Sequence, residues 1–374
     1  MRIILAPDSF KGSLTAKEAC RAMRRGIEKV LPTAEIVEMP MADGGEGTVQ
    51  SLVDATGGRI MEKEVLNPLG RKVSAQYGIL GAGETAVIEM AAASGLYLIS
   101  KSERNPLVTS TFGTGELIAD ALEKGCRNFI LGIGGSATND GGAGMAQALG
   151  ARFIDAQGRE LSPGGGALRK LEKIDLSDLD PRIAESRFTA ACDVRNPLCG
   201  PRGASFVFGM QKGATTAMLI ELDDALKHYA EKIKEFMGLD VCDIPGAGAA
   251  GGLGAGMLAF MGAELKPGVE IVIDIVGLKK KLIGATIVLT GEGQCDAQSS
   301  EGKVPYGVGI SAKEYGIPCV VIAGTIGHGA ERLYEYGVTS IFSFIDRPLI
   351  LETAMEEANI LLEKAAERIM RVIK

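Results

Sequence analysis

The amino-acid sequence predicts an α/β fold in two parts, one built from both ends of the chain and the other inserted between them. Three observations lead there. Ile3, Ile4 and Leu5 form a short apolar run of the kind found in a strand buried on both faces, and a polar loop, a helix pattern and a second strand pattern follow. The C-terminal third repeats that order, with ATIVLT (285–290) and PCVVIA (318–323) as strands separated by a loop and a helix. The middle has another texture, with interleaved polar and apolar strands and two long glycine runs. A chain of 374 residues is long for one core and natural for two domains. The expected division is a Rossmann-like parallel-sheet domain from residues 1–75 plus 280–374, an inserted glycine-rich α/β domain from 76–279, and an active site in the cleft between them.

Each element has a local reason. Thr15 stands three residues before Glu18, a capping box that starts a helix. Ala19, Met23, Ile27 and Val30 keep helical spacing, and Pro32 stops the helix. EIVEM (35–39) reads as the next strand, residues 60–90 as further strands, and FILGI (129–133) and FTAACDV (188–194) as two more. Residues 215–236 predict an amphipathic helix with Met218, Leu222, Tyr229, Ile233 and Phe236 inward. SIFSF (340–344) follows as a strand, and the last helix presents Ala354, Ala358, Leu361, Ala365 and Ile369.

Composition excludes several function classes. The net charge is −7, so no overall basic field attracts nucleic acid or an anionic membrane. Two histidines leave little material for a His-rich metal site or a Ser-His-Asp triad. Seven scattered cysteines without a CxxC pair argue against a disulfide scaffold or structural zinc. The N-terminal apolar run is too short for a signal peptide, and no stretch reaches the ~20 apolar residues of a membrane span. The expectation is a cytoplasmic protein acting on small molecules, and a homo-oligomer is compatible with the sequence.

Four polar or glycine-rich loops follow predicted strands: DSFK, ADGGEG, GGSATNDGG and GEGQCD. In open α/β sheets, ligands collect beyond the carboxyl ends of strands. Asp8, Asp43, Glu46, Glu292 and Asp296 supply carboxylates that can hold Mg²⁺ or accept a proton, and Lys11 and Lys303 can neutralise phosphate oxygens. LGIGGSATNDGGAG (131–144) puts six glycines in fourteen residues after a strand and before a helix pattern. Gly134, Gly135 and Ser136 there read as an anion cradle, with Asn139 beside them. Gly246, Gly248 and Gly251 fit GxGxxG and take the same reading, although no good strand precedes them. Gly132, Gly134 and Ala137 fit GxGxxA, which keeps an NAD-dependent oxidoreductase as an alternative. A non-catalytic binder of a small carboxylate is a third reading. CDVRNPLCG and FGMQKGA place Asp193, Asn196, Gln211 and Lys212 in loops that can form a polar wall.

Together these stretches closely resemble the bacterial type-1 glycerate kinases. The resemblance is carried by APDSFKGSLTA (6–16), ADGGEGT (42–48), IEMAAASGL (88–96), GTGELI (113–118), GIGGSATNDGGAGMAQALGA (132–151), ACDVRNPLCG (191–200), FGMQKGA (208–214), PGAGAAGGLGAG (245–256) and TGEGQCDAQSSEGKVP (290–305). Met210 stands where the pattern has Pro, and Gln294-Cys295 where an Arg-containing pair is more usual. The resemblance implies ATP-dependent phosphorylation of D-glycerate with Mg²⁺, giving 2-phosphoglycerate, with 3-phosphoglycerate as the alternative product. Laid on these motifs, the chemistry assigns Asp193 as general base, with Lys11 and Lys303 also catalytic. Gly134, Gly135, Ser136, Asn139, Gly246, Gly248 and Gly251 are assigned to phosphate or nucleotide. Ser9, Asn196, Gln211 and Lys212 are assigned to substrate, and Asp43, Glu292 and Asp296 to metal.

Overall fold

A computed structural model describes residues 1–373. They form two compact units: Met1–Asp43, Gln50–Gly57 and Pro267 onward make unit 1, and Gly44–Val49 and Gly58–Lys266 make unit 2. The strands in chain order are β1 (Arg2–Leu5), β2 (Glu35–Glu38), β3 (Arg59–Leu66), β4 (Lys72–Ile79), β5 (Thr85–Glu89), β6 (Asn128–Gly132), β7 (Arg152–Asp155), β8 (Leu171–Asp175), β9 (Arg187–Ala191), β10 (Glu264–Lys266), β11 (Ile287–Cys295), β12 (Cys319–Ile326) and β13 (Val338–Ser343).

Unit 1 holds a five-stranded sheet in the order β13-β12-β11-β1-β2, parallel throughout. Its centre joins the two chain ends, with Ile3 opposite Ile287 and Leu5 opposite Leu289. The helix Ala16–Glu28 starts as its sequence requires: Thr15 Oγ1 accepts from Glu18 N at 3.2 Å, and Glu18 Oε2 accepts from Thr15 N at 2.9 Å. Met23 and Ile27 on its inner face join Ile3, Leu5, Ile287, Leu289 and, from the C-terminal helix Ala358–Ile373, Leu361 and Leu362 in one core. The sequence reading gave GEGQC (291–295) to a loop. It is strand, because β11 outruns β1 and stays paired with β12 as far as Cys295–Ile326.

Unit 2 is built on a six-stranded sheet in the order β10-β9-β6-β5-β4-β3. Its β10–β5 part is parallel, while β4 and β3 extend it as an antiparallel hairpin. The units divide away from residues 75 and 280: β3 and β4 hydrogen-bond into the sheet of unit 2, and the helix Gly268–Val276 belongs to unit 1. Phe129 and Phe188 stack at 4.6 Å across β6 and β9. The helix Thr216–Met237 buries Leu222, Tyr229 and Ile233, whereas Phe236 is exposed.

The helices Ala16–Glu28 and Ala358–Ile373 touch backbone to backbone at Gly26, where an added Cβ would lie 2.1 Å from the Glu363 carbonyl oxygen. Gly26→Ala gains about 1 kcal/mol of helix propensity. It costs about 3 kcal/mol in overpacking against backbone that cannot rotate away. The expected result is a net loss of about 2 kcal/mol, read as a lower urea midpoint. An unchanged midpoint would show that the two helices separate freely.

Candidate active site

In unit 1 the chain runs from β1 to β2 on one side of the sheet and returns as β11, β12 and β13 on the other. The loops leaving β1 and β11 therefore diverge, which opens a crevice at the carboxyl ends of the strands. Backbone bonds from Ala6 N to Leu289 O (2.8 Å) and from Asp8 N to Gly291 O (2.9 Å) hold the first loop against β11 before they part. The crevice encloses about 380 Å³. Ser9, Lys11, Asp43, Glu292 and Lys303, all named from the sequence, line it, with Asp8 among them. Lys11 and Lys303 thus reach one crevice from positions nearly 300 residues apart.

This group is short of positive charge. Burial pushes the Asp8 carboxyl up to about 7, and Asp43 and Glu292 add to the rise, while the Ser9 N–H and Lys11 oppose it. Glu292, only 5% exposed, is also pushed up to about 7 by burial, against the Ser299 hydroxyl and Lys303. Lys303 Nζ stands 3.8 Å from Glu292 Oε2, and Glu292 Oε1 is buried without a hydrogen-bond partner. These are the conditions that a divalent cation relieves, so the residues present fit Mg²⁺. Among the described residues no three His, Cys, Asp or Glu side chains are grouped to hold a metal by themselves. Mg²⁺ is commonly bound by one or two carboxylates together with water and phosphate oxygens, so a full protein cage is not needed.

A second pocket, of about 410 Å³, lies in unit 2 and is lined by Gly134, Gly135, Ser136, Asp193, Gln211 and Lys212. Lys212 is 2% exposed; its Nζ donates to Ser136 Oγ at 2.8 Å and to the Thr138 carbonyl at 2.7 Å. Burial lowers its pKa to about 7, against the pull of Asp140. The backbone N–H groups of Gly134, Gly135 and Ser136 donate to no backbone carbonyl among the described residues. Gly134 has open space where a Cβ would be. N–H groups without a backbone acceptor beside a buried lysine amine are chemically able to hold an anion.

Other expectations change. The N–H groups of Gly246 and Gly248 are both spent on the Asn196 carbonyl, at 3.1 Å each. A Cβ at Gly248 would meet the Pro197 carbonyl at 2.1 Å, and one at Gly251 the Thr138 carbonyl at 2.0 Å. These three glycines serve packing, while Ala249 and Ala250 of the same run line the unit 2 pocket. Asn139 is fully buried and donates to Ser205 Oγ at 3.0 Å, while Asn196 donates to the Arg202 carbonyl at 2.8 Å; neither lines the pocket. Asp296 caps the short 3-10 helix Ala297–Ser300, accepting from Gln298 N at 2.9 Å, and does not line the crevice. The GxGxxA reading also weakens, because the helix after β6 begins only at Ala143.

Sequence reasoning missed Asp140. Its buried carboxylate accepts from Thr111 N (2.8 Å), Thr111 Oγ1 (2.9 Å) and the N–H groups of Gly142 and Gly144 (3.3 Å each), which fixes the loop that carries the cradle. The Asn-Asp-Gly-Gly order (139–142), a turn signature, was the available signal.

Comparison with known proteins places the chain in a family. The model of the Glycerate kinase family matches residues 3–374. A glycerate kinase of Bacillus subtilis (strain 168) is 51% identical over 374 residues, covering 100% of this chain and 98% of its own. A glycerate 2-kinase of Escherichia coli (strain K12) is 52% identical over 358 residues, 96% of this chain and 94% of the relative. A crystal structure assigned as glycerate kinase 2 from Salmonella typhimurium LT2 superposes with a TM-score of 0.93 at 48% identity, covering 100% of this chain and 98% of that one. With an α/β architecture shared along its whole length and a family match from residue 3 to the end, this chain belongs to the glycerate kinase family.

Proposed function

We propose that this protein is a cytoplasmic kinase that transfers the γ-phosphoryl group of Mg²⁺-ATP to the 2-hydroxyl of D-glycerate. The observation that carries the reading is the charge layout of the unit 1 crevice, two lysines among the buried Glu292 and the half-buried Asp8 and Asp43, in a chain of the glycerate kinase family. Phosphoryl transfer depends on positioning and charge neutralisation more than on covalent chemistry. Lys11 and Lys303 neutralise oxygens of the triphosphate. Glu292 and Asp43 are the residues that would hold Mg²⁺, which when bound supplies charge compensation to the transferring group. In unit 2, the N–H groups of Gly134, Gly135 and Ser136 and the Lys212 ammonium hold the glycerate carboxylate, with the Gln211 amide beside them. Asp193 lines the same pocket and accepts the hydroxyl proton. The 2-hydroxyl sits on the carbon next to the carboxylate, so a base beside the carboxylate cradle reaches it before the 3-hydroxyl. Seven free thiols accord with a reducing compartment, and no helix of the described residues is long and apolar enough to cross a membrane.

Incubation with ATP, Mg²⁺ and D-glycerate is expected to yield ADP and 2-phosphoglycerate, identified by phosphorus and carbon NMR. The 3-isomer would overturn the regiochemistry, and no turnover would overturn the kinase reading.

Asp193→Asn is expected to lower kcat by about 10²–10⁴-fold, the usual range for a general base, while the KM for glycerate stays within several-fold. A loss of less than about tenfold, well below that range, removes Asp193 from the base role.

Lys212 sets a pH dependence. Its folded pKa is near 7, so its charge is present below pH 7 and lost above it. The KM for glycerate should therefore rise toward tenfold per pH unit between pH 7 and 9. Lys212→Met should show a high KM that no longer changes with pH. A native KM that stays flat from pH 6 to 9 would exclude Lys212 as the carboxylate's partner.

A further inference from the structure

The unit 1 crevice has an apolar wall that the proposed chemistry does not use. Besides the lysines and carboxylates, the crevice is lined by Phe344, Ile345, Leu351, Ala354 and Met355. The Ser13 hydroxyl donates to the Met355 carbonyl at 2.7 Å and ties the β1 loop to this wall, and the Phe10 and Phe344 rings lie 5.6 Å apart beneath it. In this wall Leu351 is 67% exposed. One cavity of about 380 Å³ thus has both an apolar wall and charged groups in its lining. Small-molecule pockets of this type, about 300–1,000 Å³ and largely apolar with a few placed polar groups, bury most of their ligand.

We propose that the apolar wall takes the adenosine of the nucleotide, with Leu351, Ala354 and Met355 against the purine and the triphosphate running toward Lys11 and Lys303. The inference rests on the kinase reading but goes further, because it places the nucleotide in unit 1 and removes it from both glycine runs. Three observations support that placement. The crevice lies at the strand-order reversal of a parallel sheet, where such sheets bind their ligands. Its charged lining pairs lysines with carboxylates, which suits a polyanion carrying a metal; the cradle of unit 2 offers one buried ammonium and a few N–H groups, which suits a single carboxylate. The second glycine run has spent two of its N–H groups internally. An apolar, partly solvent-exposed wall beside lysines and carboxylates matches a nucleotide, whose base has apolar faces and whose phosphate tail is charged.

The test is calorimetric binding of ATP with Mg²⁺, without glycerate, so that it does not depend on turnover. Ala354→Trp fills the space at the apolar wall and is expected to weaken ATP binding at least tenfold while changing the affinity for inorganic tripolyphosphate less than twofold. Leu351→Ala, at an exposed position that does not threaten folding, should weaken ATP several-fold in the same selective way. ATP binding within twofold of the native protein in both variants would overturn the proposal, as would equal losses for ATP and tripolyphosphate. Loss of ATP binding in Gly135→Val with none in Ala354→Trp would place the nucleotide on the glycine run and overturn it as well. Native ATP binding with the expected selectivity but no glycerate phosphorylation would sink the kinase reading and leave this subsite standing.

Discussion

The pairing of β1 with β11 is the contact on which unit 1 depends. It joins residues 3–5 to residues 287–289 and makes one sheet from two segments that are far apart in sequence. The bonds that extend it, including Thr290 Oγ1 to the Ala6 carbonyl at 2.7 Å, carry the β1 loop past the last paired residues before releasing it. Asp8, Lys11, Glu292 and Lys303 meet only because of this pairing. A register slip by one residue would exchange the two buried faces of β1 and carry Asp8 and Lys11 away from Glu292 and Lys303.

That geometry also explains the electrostatics. Bringing Asp8, Asp43 and Glu292 together in the crevice raises two of them toward neutrality, because burial disfavours the charged form and each carboxylate disfavours the next. Lys212 in unit 2 shows the opposite sign of the same effect, an ammonium lowered by burial and kept hydrogen-bonded by Ser136 and the Thr138 carbonyl. Both pockets hold charge at a cost in solvation, and a bound ion of opposite sign offsets that cost. Perturbed groups of this kind concentrate where ligands bind.

Much of this was legible in the sequence where the signal is local. Thr15 and Glu18 specify a helix start by themselves, and the strand runs of unit 1 carry their burial in their composition. The charged residues of the crevice could be named because each lies in a polar loop that follows a predicted strand, although the stretch with Glu292 is itself strand in the structure. Gly246, Gly248 and Gly251 misled for a physical reason: a glycine that admits a ligand and one that admits a neighbouring backbone have the same letters. Only the Pro197 and Thr138 carbonyls, distant in sequence, tell them apart. Asp296 was read as a ligand although Asp followed three residues later by Ser is also a cap signature, and the cap is what forms. The apolar flank at Leu351 and Met355 left no trace in the local pattern, since it becomes a wall only when the β1 loop packs against it.

The split of unit 1 across the chain has a consequence for its birth. β1 and β2 leave the ribosome early and can pair with each other, but the other edge of β1 must wait for Ile287–Leu289. At about 5–20 residues per second, translation takes roughly 15–60 s to bridge that gap. Through that interval Ile3, Ile4 and Leu5, fully buried in the finished protein, lack their central neighbour. Unit 2, contiguous from Gly58 to Lys266 apart from one short segment, can complete its sheet first. The nascent chain therefore carries an open hydrogen-bonding edge on β1 until Ile287–Leu289 are made, an edge that the early strands of unit 1 cannot close by themselves.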